Sequence, residues 1–119
     1  MKDFRDLLVW KKAHAFTLKI YAVTRSFPRE EQYGIVSQLR RAAVSIPTNT
    51  VEGCGRSSEI EFARYLEIAF SSACESEYLL LLSLELEYLE ATQHKPLGDD
   101  VCEIKRMLHG LIKKLKADN

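Results

Sequence analysis

Apolar residues recur along this chain at steps of three and four, the period of a helix with one buried face. Val9, Ala13, Phe16, Ile20, Val23 and Phe27 wind a single stripe, which predicts a first helix from about Asp6 to Ser26. Pro28 turns Phe27 away from helical geometry, and Glu30-Glu31 suit the positive end of a new helix dipole, so a second helix is expected to begin near them. Its stripe is Ile35, Leu39, Ala42, Ile46, Thr50 and Gly53, mostly small residues that let a neighbouring backbone come close. Pro47 lies inside that stripe and is expected to kink the helix without ending it, because the pattern stays in phase across the proline. Gly53 and Gly55 then supply a stop.

Ser58-x-x-Glu61 reads as a capping box opening a third helix, which is predicted to run to about Glu90. Leu84 to Leu89 alternates as a strand would, yet no partner strand is in sight. The stretch Lys95-Pro96-Leu97-Gly98-Asp99 reads as the last turn, and Val101, Ile104, Leu108, Leu111 and Leu115 carry a fourth helix to about Lys116. The fold class is therefore all-α: one domain over residues 1–119, an antiparallel up-down-up-down four-helix bundle.

One segment carries more apolar surface than such a bundle can hide. From Tyr78 to Leu86 the third helix is apolar most of the way round, while every helix of a small bundle turns a face to solvent. Leu79, Leu81, Leu82, Leu84 and Leu86 are accordingly expected to form an oligomer interface, since exposing them forfeits about 25 cal/mol per Å².

Composition narrows the class further. With 46% hydrophobic and 29% charged residues, the chain is that of a folded globular domain and not a disordered one. Met1 to Asp6 lacks the layout of a secretion signal, and no run approaches the roughly 18 apolar residues of a membrane span. Cys54, Cys74 and Cys102 are widely spaced and odd in number, which suggests neither a disulfide framework nor a metal pair; they read as small apolar fillers. A cytoplasmic protein is expected.

Seventeen basic and seventeen acidic residues cancel, but they are segregated. Lys2 to Arg29 holds seven Lys or Arg against two Asp, and Tyr65 to His94 holds six Glu with no Lys or Arg. Unlike faces meeting between copies would make a head-to-tail contact, the kind that closes into rings.

Candidate chemistry is sparse. His14, His94 and His109 lie on or beside different helices and share no Glu-x-x-His or His-x-x-x-His spacing, so no metal site is expected. Nucleophile elbows and phosphate-cradling loops are missing as motifs, so the chain is expected to be no enzyme, with no cofactor and no small-molecule substrate. Arg41, Ser45, Thr48 and Glu52 share one polar stripe on the second helix, with Arg40 pointing off it. That stripe reads either as a binding groove or, the favoured reading, as a solvated face or a network between subunits. Trp10 and Tyr21 share a second face of the first helix, where packing is favoured over base stacking.

Two basic rows offer the alternative function. Arg5, Lys12 and Lys19 are spaced by seven on the first helix, and Arg106, His109, Lys113 and Lys116 align on the fourth. If these neighbouring helices merge their rows, the surface would track phosphates of RNA or DNA, with affinity falling steeply with salt. An ordinary solvated exterior weighs equally.

Several segments carry a family resemblance: Asp6-Leu7-Leu8-Val9-Trp10, Ile20-Tyr21, Phe27-Pro28, Tyr33-Gly34, Ser37 through Pro47, Glu52-Gly53, and Phe62, Tyr65-Leu66, Ala69, Ser72 and Glu75. Together they resemble the 23S ribosomal RNA intervening sequence proteins. The resemblance implies a left-turning bundle assembled as a ring, commonly a pentamer, without known enzymatic activity. A branch similar in fold, the accessory proteins of diversity-generating retroelements, works with a reverse transcriptase and nucleic acid. The chain departs from the family pattern at Thr48-Asn49-Thr50-Val51 and at Cys54, where an aromatic is common.

Overall fold

The computed structural model describes residues 3–117; Met1 and Lys2, counted in the basic first segment, and Asp118 and Asn119 lie outside the described residues. Four α-helices follow one another: α1 (Leu8–Thr24), α2 (Ile35–Cys54), α3 (Glu59–Glu85) and α4 (Ala91–Ala117). Short 3-10 turns at Phe4–Asp6 and Arg29–Glu31 precede α1 and α2. Each helix packs on the next and α4 closes back on α1. A helix of 27 residues is about 40 Å long, which is why α3 and α4 stretch the bundle to 46 × 22 × 20 Å.

All six stripe positions of α2, from Ile35 to Gly53, are buried, so the helical phase does survive Pro47. A proline here deprives the carbonyl four residues earlier, that of Ala43, of its helical donor. That carbonyl is met from another helix: the Thr17 hydroxyl of α1 shares its one proton between it at 3.2 Å and the Ala13 carbonyl at 2.8 Å. The remaining buried hydroxyls, including Thr50, Ser76 and Ser83, each bond the carbonyl four residues back. Among the described residues no buried side-chain nitrogen or oxygen lacks a partner. Small polar residues therefore sit in the core without a desolvation penalty.

Of the two glycines expected to stop α2, Gly55 does so as its C-cap, its N–H bonding the Glu52 carbonyl, while Gly53 does not. It lies buried inside the last turn, where a Cβ would stand 2.8 Å from the Phe62 ring and 3.1 Å from the Tyr65 Cβ. The residue is there so that α2 and α3 can touch. Gly53→Ala is expected to lower stability by about 1–2 kcal/mol, the overpacking cost exceeding the gain in helix propensity. Gly110 is the control: it is exposed on α4 with nothing within 4 Å, so Gly110→Ala is expected to raise stability by roughly 0.5–1 kcal/mol. Urea denaturation of the two variants checks both signs.

Both ends of the third helix are defined by hydrogen bonds. The Ser58 hydroxyl accepts the Glu61 N–H at 3.1 Å, as the capping box requires. At the other end, however, α3 stops at Glu85, not near Glu90. Tyr88 N–H bonds the Ser83 carbonyl and Glu87 N–H bonds that of Leu84, a Schellman closure with Glu87 itself in the left-handed region at φ 64°. The expected last turn at Lys95–Asp99 is instead helical. The fourth helix opens at Glu90, whose N–H is accepted by the Gln93 side chain at 3.0 Å, and Pro96 lies within it. Pro96 leaves only the carbonyl of exposed Thr92 without a helical donor, and water can satisfy that. Similarly α2 begins at Ile35, four residues beyond Glu31, which caps it by accepting the Ile35 N–H at 3.3 Å.

One side chain ties the two corners at this end of the bundle. Tyr88 packs its ring 5.5 Å from that of Phe27 and donates its hydroxyl to Glu31 at 2.9 Å. The neighbouring carboxylate raises the Tyr88 phenol above its usual pKa.

Candidate functional site

A groove opens between the outward faces of α2 and α3. Arg41 and Ser45, two of the four polar-stripe residues, line this groove of about 590 Å³ together with Tyr33, Gln38, Ser72 and Glu75. Thr48 and Glu52 continue along α2 as exposed residues beyond it. The Ser45 hydroxyl accepts hydrogen bonds from Ser72 at 2.8 Å and Asn49 at 3.0 Å. Neither partner is a base, so the hydroxyls pin α2 to α3 and are not activated as nucleophiles. Arg41 and Glu75 form no ion pair with each other among the described residues. The groove thus offers one cation and one anion to whatever lies over it. Tyr33, at its mouth, is 92% exposed; it sits in the turn before α2, where periodicity gives no signal.

The leucine-rich segment divides by helical phase. Leu79 is buried in the core beside Leu80, so its expected place at an interface is corrected: it points inward, as Ser83 does one turn on. Leu82 is half-buried against the core and Leu84 is half-buried. Leu81 and Leu86 remain outside at 44% and 45% exposure, beside Tyr78 at 59%. Ile60 and Ile68 extend the exposed apolar positions along the same helix toward its N-terminus. These two were not singled out in sequence because they fall outside the leucine run.

The basic rows do not merge into one cationic surface. Lys12 and Lys19 of α1 both reach Asp100 of α4, at 3.5 and 2.9 Å, and Lys12 also lies 3.6 Å from Glu103. Lys116 pairs with Glu67 at 2.8 Å, and Arg5 with Asp3 at 3.4 Å. Asp100 and Glu103 therefore interleave the cations of α1 at the α1–α4 seam, and Glu67 of α3 engages the α4 row, while Arg106 and Lys113 show no ion pair among the described residues.

The histidines are dispersed, although His94 and His109 share α4 instead of lying on different helices. His14 stacks on Trp10 at 4.9 Å, and Phe4 meets that indole in an edge contact at 4.8 Å, so Trp10 packs against both rings. Tyr21 is covered by the Arg40 guanidinium at 4.7 Å. Among the described residues no three His, Cys, Asp or Glu side chains converge as a metal site would require.

Cys102 is more than a filler. Its thiol donates to Glu77 at 3.3 Å, and that carboxylate pushes the thiol's pKa above its usual value. Glu77 also accepts from Lys105 at 2.8 Å, and this bond holds the Glu77 carboxyl below its usual pKa against an opposing push from burial. A carboxyl with a depressed folded pKa contributes stability above its unfolded value, and that contribution disappears as pH falls through the folded value. Lys105→Met is therefore expected to narrow the loss of stability between about pH 7 and about pH 3. The change should stay below about 1 kcal/mol, because the pair is half exposed and screened. Urea midpoints at the two pH values measure it.

No helix among the described residues is long and apolar enough to cross a membrane. Residues 5–110 match the family described as 23S rRNA-intervening sequence protein. A solved structure of a protein of unknown function from the S23 ribosomal protein family, from Bacteroides thetaiotaomicron VPI-5482, superposes with a TM-score of 0.81 at 28% identity. The match covers 89% of this chain and 99% of that one. No functionally curated protein matches the chain.

Proposed function

Since the chain belongs to the 23S rRNA-intervening sequence protein family, we propose that it is a non-catalytic cytoplasmic scaffold that assembles with copies of itself into a ring. The observation that carries this reading is the outer side of α3, where Ile60, Ile68, Tyr78, Leu81 and Leu86 stay exposed although the core is otherwise complete. Such a face gains by being covered, at about 25 cal/mol per Å². Its occupant is a second copy of this chain, argued from charge: the exposed side of α3 carries Glu75 and Glu85 with Arg64, whereas that of α2 offers Arg41 beside Val44, with Tyr33 in the turn before it. Two unlike faces make a head-to-tail contact, which closes into a ring when the rotation permits. Five subunits is the number the family resemblance suggests.

The nucleic-acid reading is the weaker one, because Lys12, Lys19 and Lys116 are already engaged by carboxylates. Co-expression of tagged and untagged copies tests the scaffold directly. Untagged chain should co-purify with tagged chain through a high-salt wash and nuclease treatment. Failure of the untagged chain to co-purify would remove the reading, and association lost on nuclease treatment would transfer the function to RNA or DNA.

A further inference from the structure

Away from the α3 face, the corner joining α1 to α2 holds a hollow of about 350 Å³ lined by three arginines, Arg25, Arg29 and Arg40. They come from three places: the residue after α1, the 3-10 turn and the first half of α2. No carboxylate lines the hollow. Arg25 and Arg29 are exposed and form no ion pair among the described residues, unlike the lysines of the α1–α4 seam.

Arg40 is held in place. Its Nε–H donates to the Thr24 hydroxyl at 2.8 Å, one terminal nitrogen donates to the Tyr21 carbonyl at 3.3 Å, and the guanidinium carbon lies over the Tyr21 ring at 4.7 Å. Of the five N–H donors of a guanidinium, these bonds use two. The others remain for a ligand, on a group whose rotamer entropy has already been lost. Gln32 adds an amide to the lining, and Phe27, Pro28 and Val36 supply an apolar wall.

From this arrangement we infer that the corner is a binding site for a phosphate group. Three guanidinium groups around one hollow suit a phosphate monoester, which carries about −1.5 to −2 charge near neutrality, better than a singly charged carboxylate. The volume lies at the lower end of ligand pockets, fitting one phosphate with a short organic portion against the apolar wall. The shared chemistry of a free phosphorylated molecule and a polymer phosphate is distinguished by the probes below.

The test is NMR titration of the full chain with inorganic phosphate, adenosine monophosphate and a short single-stranded RNA, with acetate at equal ionic strength as control. Phosphate and the mononucleotide should shift the Arg40 Nε signal and the amides of residues 24–27, 29 and 36 saturably, and acetate should do so at least several-fold more weakly. Arg25→Gln with Arg29→Gln changes two exposed side chains and should weaken binding at least tenfold with the helical content unchanged. Arg40→Lys should weaken it several-fold, because it keeps the charge and loses the planar fork. Tighter saturation by the RNA at the same residues would also support the phosphate site and identify a polymer as its source. No saturable shift at this corner, or shifts unaffected by the double variant, would overturn the inference.

Discussion

Leu81→Glu combined with Leu86→Glu is expected to convert the assembly into a folded monomer. Both side chains are close to half exposed in the single chain, so the monomer should keep its helicity and its melting temperature. In the proposed ring, each substitution would remove apolar burial and place a carboxylate in a face that already carries Glu75 and Glu85. A combined loss of about 3 kcal/mol per contact corresponds to roughly a hundredfold in association constant. Light scattering should show the mass fall toward 13.7 kDa. Leu79→Glu makes the contrast, since that residue is 3% exposed and the carboxylate should abolish folding instead. An unchanged mass in the double variant would place the interface elsewhere.

A second large effect is expected where α1 meets the proline of α2. Thr17→Val preserves shape but removes the hydroxyl that reaches the Ala43 carbonyl, leaving a buried acceptor without a donor. The expected cost is about 1–3 kcal/mol. Pro47→Ala should change this, because an alanine at 47 restores the backbone N–H that an unbroken helix sends to Ala43. In that background Thr17→Val should cost about 1 kcal/mol less than it does alone. The double-mutant cycle, measured by urea denaturation, checks the link; additivity within roughly 0.5 kcal/mol would dissociate Thr17 from the proline.

These two sites also separate what was legible in the sequence from what was not. The stripe Ile35 to Gly53 could be followed across Pro47 because helical phase is a property of spacing alone. The partner of the orphaned carbonyl was illegible, since Thr17 lies 26 residues away on another helix. The leucine run shows the opposite limit: when nearly every position is apolar, spacing cannot say that Leu79 points in while Leu81 points out. In the folded chain Leu79 is 3% exposed and Leu81 44%.

The turn between α3 and α4 was misplaced because its chemistry is unusual. Proline and glycine at Pro96 and Gly98 read as a turn, whereas the chain reverses at Glu87, a residue with no preference for the left-handed region. Charge spacing was equally one-sided. The rows through Lys12, Lys19 and Lys116 could be read off, but Asp100 and Glu67, which engage them, arrive from facing helices. The three-arginine corner escaped notice for the same reason, its members belonging to three segments with no common period.

Native mass spectrometry of the unmodified chain at micromolar concentration tests the central claim most directly, because it counts subunits as an integer. The ring predicts a single dominant species at a whole multiple of 13.7 kDa above two, with five the expected number. A dominant species at 13.7 kDa would contradict it.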